Sequence, residues 1–157
     1  MYLFLDSSSF IQVGILDKEF KWLHHEVVAN RKGSQVLHSI IYSSLAEQGL
    51  KISDIKNVFL ANGPGSYTGI RVAEGLCQVL EIGGAKILSF YHFEVPFFCG
   101  ISNYEFYSEA FKGEVFFYER NGDESKTQLI KETQFKNKDL SLDNQFSLDG
   151  EILDESL

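Results

Sequence analysis

The chain is poor in proline, cysteine and basic residues. Its 157 residues include two prolines, two cysteines and 14 lysines and arginines against 22 aspartates and glutamates, which gives a formal net charge of −8. Cys77 and Cys99 are too few and too far apart for a disulfide framework or a zinc site built from cysteines. No basic stripe is evident, so the sequence excludes a protein that grips nucleic acid strongly by itself.

Long apolar runs are also missing. No run approaches the about 20 residues that a membrane-spanning helix needs. The start, Met1 to Asp6, lacks a basic flank and meets an acid too early for a signal peptide. The remaining composition, 44% hydrophobic and 14% aromatic, is typical of a well-cored globular protein. We therefore expect a cytoplasmic protein with no membrane contact.

Short apolar runs and helical spacing predict a mixed α/β domain in the first part of the chain. The predicted strands are residues 2–6, 10–15, 20–28, 58–61 and 86–90. Leu37, Ile41 and Leu45 recur at four-residue spacing, which predicts a first helix over residues 34–48 with Gly49 as its stop. A second helix is predicted over residues 69–83.

The turn before the second helix is rich in glycine. Its members are Ala61, Asn62, Gly63, Pro64, Gly65, Ser66, Tyr67, Thr68, Gly69, Ile70 and Arg71. The glycines can take backbone angles closed to other residues, and Ser66 or Thr68 can cap the helix. A tight connection without a ligand and an anion site at the helix start both stay open. Neither the phosphate-loop pattern nor the dinucleotide pattern is met.

Three segments carry a resemblance to a known family. Gly63 to Arg71 resembles the signature of the TsaB (YeaZ) family, the non-catalytic partner in the bacterial machinery that makes threonylcarbamoyladenosine next to the anticodon of transfer RNA. Asp6, Ser7 and Ser8 resemble the turn after the family's first strand, and Lys112 to Phe116 resembles a later segment. Order and spacing agree across roughly residues 1 to 118.

The resemblance implies a fold and a domain division. It implies a ribonuclease-H-like lobe with a mixed sheet, as in actin, Hsp70 chaperones and sugar kinases, over residues 1–95. A reduced α+β second lobe with an acidic tail is expected over residues 96–157. There the pattern predicts a hairpin of residues 104–110 and 115–120, followed by a strand at 127–132. Pro96 is expected to interrupt an apolar stretch.

The second helix is apolar over roughly two-thirds of its circumference. Its polar stripe consists of Arg71, Glu74, Gln78 and Glu81. One sheet does not cover so wide an apolar arc, so we expect part of it, around Ala73, Leu76, Cys77 and Leu80, to pack on the sheet. The other flank needs another cover, from the first helix or from another chain. The residues alone do not decide between these two covers.

The family resemblance favours another chain, rather than the first helix, as the cover of this flank. It implies binding to a TsaD-like catalytic paralogue through the two helices, a homodimer through the same face when that partner is absent, and a TsaE-like ATPase as a further partner. The expected interface residues are Leu37, His38, Ile41, Tyr42, Leu45, Val72, Gly75, Val79 and Ile82. No cofactor of its own is expected, while a nucleotide at an interface with the partner stays open.

No catalytic residue and no metal ligand are predicted. The catalytic paralogue carries two histidines four apart on its first long helix, whereas this chain has His38 followed by Tyr42. His24 and His25 are adjacent on a strand and should point to opposite faces. The alternative function is an active ATPase or phosphotransferase that uses Asp6 and the Gly63 to Gly69 turn. Against it, Asp6 is expected to bond the amides of its own turn.

Overall fold

A computed structural model describes residues 1–28, 36–136 and 144–148 of the chain. The chain divides into two compact units, Met1–Phe90 and Tyr91–Leu157. The domain division expected from the family resemblance lies five residues later, after residue 95. The acidic residues of the expected tail, from Asp139 and Asp143 to the C-terminus, lie outside the described residues.

Unit 1 is built on a five-stranded mixed sheet. Its strand order is β3-β2-β1-β4-β5. The strands are β1 (Tyr2–Asp6), β2 (Ile11–Leu16), β3 (Trp22–Val28), β4 (Asn57–Ala61) and β5 (Lys86–Phe90). β1 pairs antiparallel with β2, where Leu3 faces Ile15, and parallel with β4, where Leu3 faces Val58. The predicted order of three strands, helix, strand, helix, strand is confirmed.

Two helices complete unit 1, α1 (Leu37–Glu47) and α2 (Tyr67–Ile82). Alternate residues of the central strands and one stripe of each helix form a single apolar core. Its most enclosed members are Leu3, Leu5, Val13, Ile15, Leu37, Val58 and Ala73. Burying a leucine or isoleucine side chain stabilises the fold by about 1.5–3 kcal/mol, so this face of the sheet determines where the helices lie.

Both helices are followed by a glycine in the left-handed region, which confirms the predicted stop of α1 at Gly49. Gly49, with φ +65°, follows α1, and the Leu50 amide donates to the Leu45 carbonyl. Gly84, with φ +92°, follows α2, and the Ala85 amide donates to the Leu80 carbonyl. These bonds satisfy carbonyls that the last helical turn leaves unpaired. The part of the predicted first helix before Val36 lies outside the described residues.

The opposite face of the sheet carries aromatic side chains. Tyr2 stacks on Phe59 at 5.5 Å between ring centroids, and Phe4 meets Trp22 edge-on at 5.8 Å. Trp22 covers Gly14 so closely that a Cβ there would overlap the indole ring. Strand β3 begins at Trp22 rather than at the predicted residue 20, because Phe20 has a left-handed φ of +61° that no strand accommodates.

Unit 2 contains a four-stranded sheet of order β8-β7-β6-β9. Its strands are β6 (Asn103–Glu109), β7 (Glu114–Asn121), β8 (Glu124–Lys131) and β9 (Gln145–Ser147). The predicted hairpin and third strand are confirmed: β6 is shifted by one residue, β7 is longer by one residue at each end, and β8 begins three residues earlier and ends one residue earlier than predicted. Strand β9, parallel to β6, was not predicted. Neither were the short helices α3 (Val95–Phe98) and α4 (Glu132–Phe135). Pro96 lies in the first turn of α3, where its missing amide costs nothing.

Apolar side chains cover both faces of the second sheet. Tyr107 and Phe117 pack with Phe135 on one face, while Tyr104 and Tyr118 pack on the other. A buried carboxylate, Glu105, lies within the first group and accepts a hydrogen bond of 2.5 Å from the Tyr107 hydroxyl. Burial, and then Glu105 itself, raise the pKa of Tyr107. This bond satisfies a polar group that would otherwise be costly to bury.

We expect the two cysteines to react at very different rates. Cys77 is 3% exposed, and burial, followed by Glu74 and Glu81, raises the pKa of its thiol to about 11, whereas Cys99 is exposed. Thiolate is the nucleophile, and at pH 8 only about one thousandth of such a buried thiol is ionised. Iodoacetamide at pH 8 should therefore label Cys99 first, as read by mass spectrometry. Concentrated urea should equalise the two rates, and equal rates in the folded protein would contradict the packing of α2.

Candidate functional site

The glycine-rich turn joins the end of β4 to the start of α2. Gly63 and Gly65 have φ values of +97° and +149°, and the peptide bond between Gly63 and Pro64 is cis. Of the two predicted caps, Ser66 fills the role, since its Oγ accepts a hydrogen bond of 3.3 Å from the Gly69 amide. α2 consequently begins at Tyr67, two residues before the predicted start, with Thr68 inside the first turn.

This turn is locked against the turn that follows β1. The Ser66 amide donates to the Ser8 carbonyl at 2.5 Å, and Ser7 Oγ donates to the Gly69 carbonyl at 2.8 Å. A Cβ on Gly65 would lie 2.7 Å from Ser8 Cβ and overlap the Ser8 carbonyl oxygen. The interlocked turns, as we call Asp6 to Ser8 together with Gly63 to Gly69, form one structural unit.

Gly69 serves a different purpose from the one predicted. Its backbone is helical and does not need the left-handed freedom of glycine, so that part of the prediction is wrong. A Cβ at Gly69 would instead overlap the Ser7 carbonyl oxygen. Close backbone approach, which only glycine allows, is what this position requires.

Asp6 is committed to its own turn, as predicted. The side chain is 3% exposed, and its Oδ1 accepts hydrogen bonds from the Ser8 amide at 2.9 Å and from Ser8 Oγ at 2.7 Å. The amides of Ser8, Ser66 and Gly69 all donate within the protein. A phosphate at the interlocked turns would have to displace these bonds, so these three amides do not form a ready cradle for it.

The rest of the motif frames the helix start. The Asn62 amide donates to the Phe90 carbonyl at 2.8 Å, which ties the turn to β5. Tyr67 is 73% exposed, and the Arg71 guanidinium lies 5.2 Å from the centre of its ring. Arg71 also pairs with Glu74 at 2.6 Å. Both charged groups are therefore held on the polar stripe of α2, away from the apolar flank.

On α1, the predicted interface residues are mostly not the exposed apolar ones. Leu37, Ile41 and Leu45 are at most 3% exposed, so their assignment to an exposed flank is wrong. They point inward because that face of α1 packs into the core of unit 1. The exposed apolar residues are Tyr42 at 77%, Val79 at 63% and Ile82 at 89%. Among the other predicted interface positions, Val72 packs partly against the core, whereas His38 and Gly75 are exposed.

A groove runs between the two helices beside these residues. Its volume is about 530 Å³. It is lined by His38, Ser39, Ile41, Tyr42, Leu45, Ile52, Leu76, Val79 and Leu80. Ile52 is half exposed in a short 3₁₀ turn, Ile52–Asp54. Sequence reasoning missed it because one apolar residue in a three-residue turn has no periodicity to detect.

The chemistry of this α1–α2 groove is almost wholly apolar. None of its nine lining residues is an acid, lysine or arginine, and His38 is the one that could carry a charge. Over the described residues, no three His, Cys, Asp or Glu side chains come together in a metal-binding arrangement. No helix in those residues has the length and apolarity to cross a membrane. The groove suits an apolar protein surface better than a phosphorylated ligand.

The fold matches known structures. YeaZ from Pseudomonas aeruginosa superimposes with a TM-score of 0.61 at 22% identity over 80% of this chain. The chain is YeaZ-like in fold. It spans 65% of the length of that protein. An uncharacterized protein with similarity to peptidase YeaZ from Pseudomonas aeruginosa matches with a TM-score of 0.67 at 21% identity, over 93% of this chain and 74% of the other.

Two further comparisons bear on the class and the helices. A candidate N-acetylglucosamine kinase from Porphyromonas gingivalis matches with a TM-score of 0.52 at 18% identity, over 80% of this chain and 46% of its own. The predicted kinase-like and actin-like fold class is thus confirmed. The profile of the TsaD family, tRNA N6-adenosine threonylcarbamoyltransferase, matches residues 26–86, which include both α1 and α2. No curated protein sequence matches at a significant level.

Replacing Gly69 by alanine should destabilise unit 1 although alanine favours helices. The new methyl group would overlap the Ser7 carbonyl and force the interlocked turns apart, at a cost of about 1–3 kcal/mol. Gly75→Ala in the same helix is the matched control, because a Cβ there meets open space. The control should stabilise by up to about 1 kcal/mol. Urea unfolding at a protein concentration where the chain is monomeric measures both, and equal effects would show that the turns are not locked.

Proposed function

We propose that this chain is a non-catalytic, protein-binding subunit in the formation of threonylcarbamoyladenosine on transfer RNA. In this proposal it binds a TsaD-like catalytic protein through α1 and α2. The observation that carries the proposal is the α1–α2 groove with the exposed Tyr42, Val79 and Ile82 beside it. The match of the TsaD profile to both helices and the YeaZ-like fold support it.

The surface has the properties of a helix-binding face. Val79 and Ile82 expose apolar area to water. A partner helix that covers this area would stabilise the complex by about 25 cal/mol for each Å² removed from water. Gly75 lies exposed in the same helix with open space where a side chain would be. A second helix can approach closely at such a position, as small residues allow in packed helix pairs.

The remaining partners follow from the same surface, from charge and from the resemblance to the TsaB family. Without the catalytic partner, we expect a homodimer through the α1–α2 face, since the exposed apolar flank is then covered by its own copy. A TsaE-like ATPase belongs to the proposed complex, with any nucleotide held at a shared interface. The net charge of −8 argues against strong direct binding of transfer RNA by this chain. The proposed complex acts in the cytoplasm.

A charge at Val79 should break the proposed association. Val79→Glu would place an unpaired carboxylate in the covered face and weaken binding by about 3–5 kcal/mol. The monomer should stay folded, because Val79 is 63% exposed in the free chain. Gln78→Glu, an exposed neighbour on the polar stripe, adds the same charge as a matched control. Ile41→Glu is a poor test, since Ile41 is 3% exposed and a charge there would disrupt the core.

Sedimentation velocity of each variant, alone and with the TsaD homologue from the same cell, measures the association. Modification activity of the reconstituted system is the second readout. Val79→Glu should lose both while Gln78→Glu keeps both. If a folded Val79→Glu variant associates and supports modification as well as the unaltered chain, the interface lies elsewhere and the proposal fails.

The alternative, an ATPase centred on Asp6, makes the opposite prediction about that residue. We expect no ATP hydrolysis above a buffer blank, and we expect Asp6→Ala to lower stability by about 2–4 kcal/mol because the buried Ser8 donors lose their acceptor. Ser8→Ala, which removes one of the two bonds, should cost less. Thermal unfolding and a phosphate-release assay test this. Genuine turnover that Asp6→Ala abolishes without changing stability would favour the ATPase.

A further inference from the structure

The open edge of β3 carries an unusual set of side chains. Within the described residues, β3 pairs with β2 alone, so its other edge faces outward. Trp22, Leu23 and Val27 on this strand are 52%, 41% and 53% exposed. Exposed edge strands are usually protected by lysine or proline, because their free backbone groups pair readily with another strand. β3 has neither residue, and Glu26 is its one acid.

We propose that the edge of β3 pairs antiparallel with β3 of a second copy of this chain, about a two-fold axis at His25. A two-fold axis that joins two sheet edges in this way must run normal to the sheet. Each residue then faces a residue on the same side of the sheet, so paired positions differ by an even number. Three centres give a substantial overlap of the strand: His24, His25 and Glu26.

The placement of Glu26 relative to the His24 ring selects one of these three registers. A centre at Glu26 sets two carboxylates directly opposite each other, which is destabilising. A centre at His24 sets the two His24 side chains opposite each other and leaves Glu26 beside the irregular segment at Leu23 of the second copy. A centre at His25 sets His24 of each copy opposite Glu26 of the other copy, so this pair occurs twice. It also brings Leu23 near Val27 of the second copy, so that the two exposed apolar residues cover one another.

The local structure of β3 supports this register. Opposite β2, Glu26 faces Val13 and His24 faces Ile15, so both lie on the helix-covered face. In the single chain, His24 lies 3.7 Å from Glu26 and 3.6 Å from Glu47, distances too long for hydrogen bonds. Leu23 is an extra residue in the ladder with β2, so the regular backbone that this register pairs is His24 to Glu26, with Leu23 and Val27 on either side of it.

This inference does not rest on the proposed function. The residues that would pair belong to β3, whereas the proposed TsaD-binding surface is formed by α1, α2 and the turn at Ile52. Loss of one association should therefore leave the other intact. The Val79→Glu substitution provides a background in which the helix face no longer contributes to dimer formation.

Cysteine cross-linking tests the register directly. In a Cys99→Ser, Val79→Glu background, His25→Cys would face its own copy with Cα atoms about 4.5–5.5 Å apart, within disulfide range. Val27→Cys is the matched control on the same face, four residues from its own copy and about 14 Å away. We expect mild oxidation to give a disulfide-linked dimer with His25→Cys and at least tenfold less with Val27→Cys. Equal yields, or none from a folded His25→Cys variant, would overturn the proposal.

A lysine at the edge gives an independent readout in a chain without new cysteines. Val27→Lys should raise the dissociation constant of the dimer in the Val79→Glu background at least tenfold, as measured by sedimentation. Leu129→Lys makes the same change on β8, at a residue 64% exposed on the edge of the other sheet, and should have no effect. Far-ultraviolet circular dichroism checks that both variants fold. A monomer in the unaltered Val79→Glu background, or equal effects of the two lysines, would also overturn the proposal.

Discussion

The close approach of two turns determines how unit 1 is assembled. Ser7 and Ser8 follow the central strand, and their carbonyls leave room at Gly65 and Gly69 for backbone alone. The start of α2 is thereby fixed relative to β1, although the two segments are about sixty residues apart in sequence. This contact therefore sets the directions in which the side chains of α2 point, including those of Val79 and Ile82 on the apolar flank.

An acidic chain and an apolar surface between two helices occur together in this molecule. A net charge of −8 repels phosphate, while the α1–α2 groove offers an apolar surface with no acid, lysine or arginine in its lining. Recognition on such a face depends on shape and on covered area rather than on steering by charge. Asp6, the one buried acid near the glycine-rich turn, is bonded within the protein and serves the fold.

Local sequence signals predicted most of the fold, and burial was the part they could not decide. Periodicity located α1 and α2, and Gly49 marked a helix end. The inward direction of Leu37, Ile41 and Leu45 depends on where β2 lies, which no four-residue spacing encodes. Likewise Ile52 joins the groove only after the chain has turned back. Gly69 was recognised as necessary, but the reason, the Ser7 carbonyl, is a contact across the sequence.

The position of Trp22 against Gly14 determines what the fluorescence of this tryptophan reports. Trp22 is the only tryptophan, and it lies half exposed at the margin of the first sheet. Its emission therefore reports the solvent around one strand of unit 1. Tyrosine absorbance reports both units, because Tyr2, Tyr42 and Tyr67 lie in unit 1 while Tyr91, Tyr104, Tyr107 and Tyr118 lie in unit 2. Tryptophan emission is therefore the signal that follows the unfolding of unit 1 specifically in the unmodified protein.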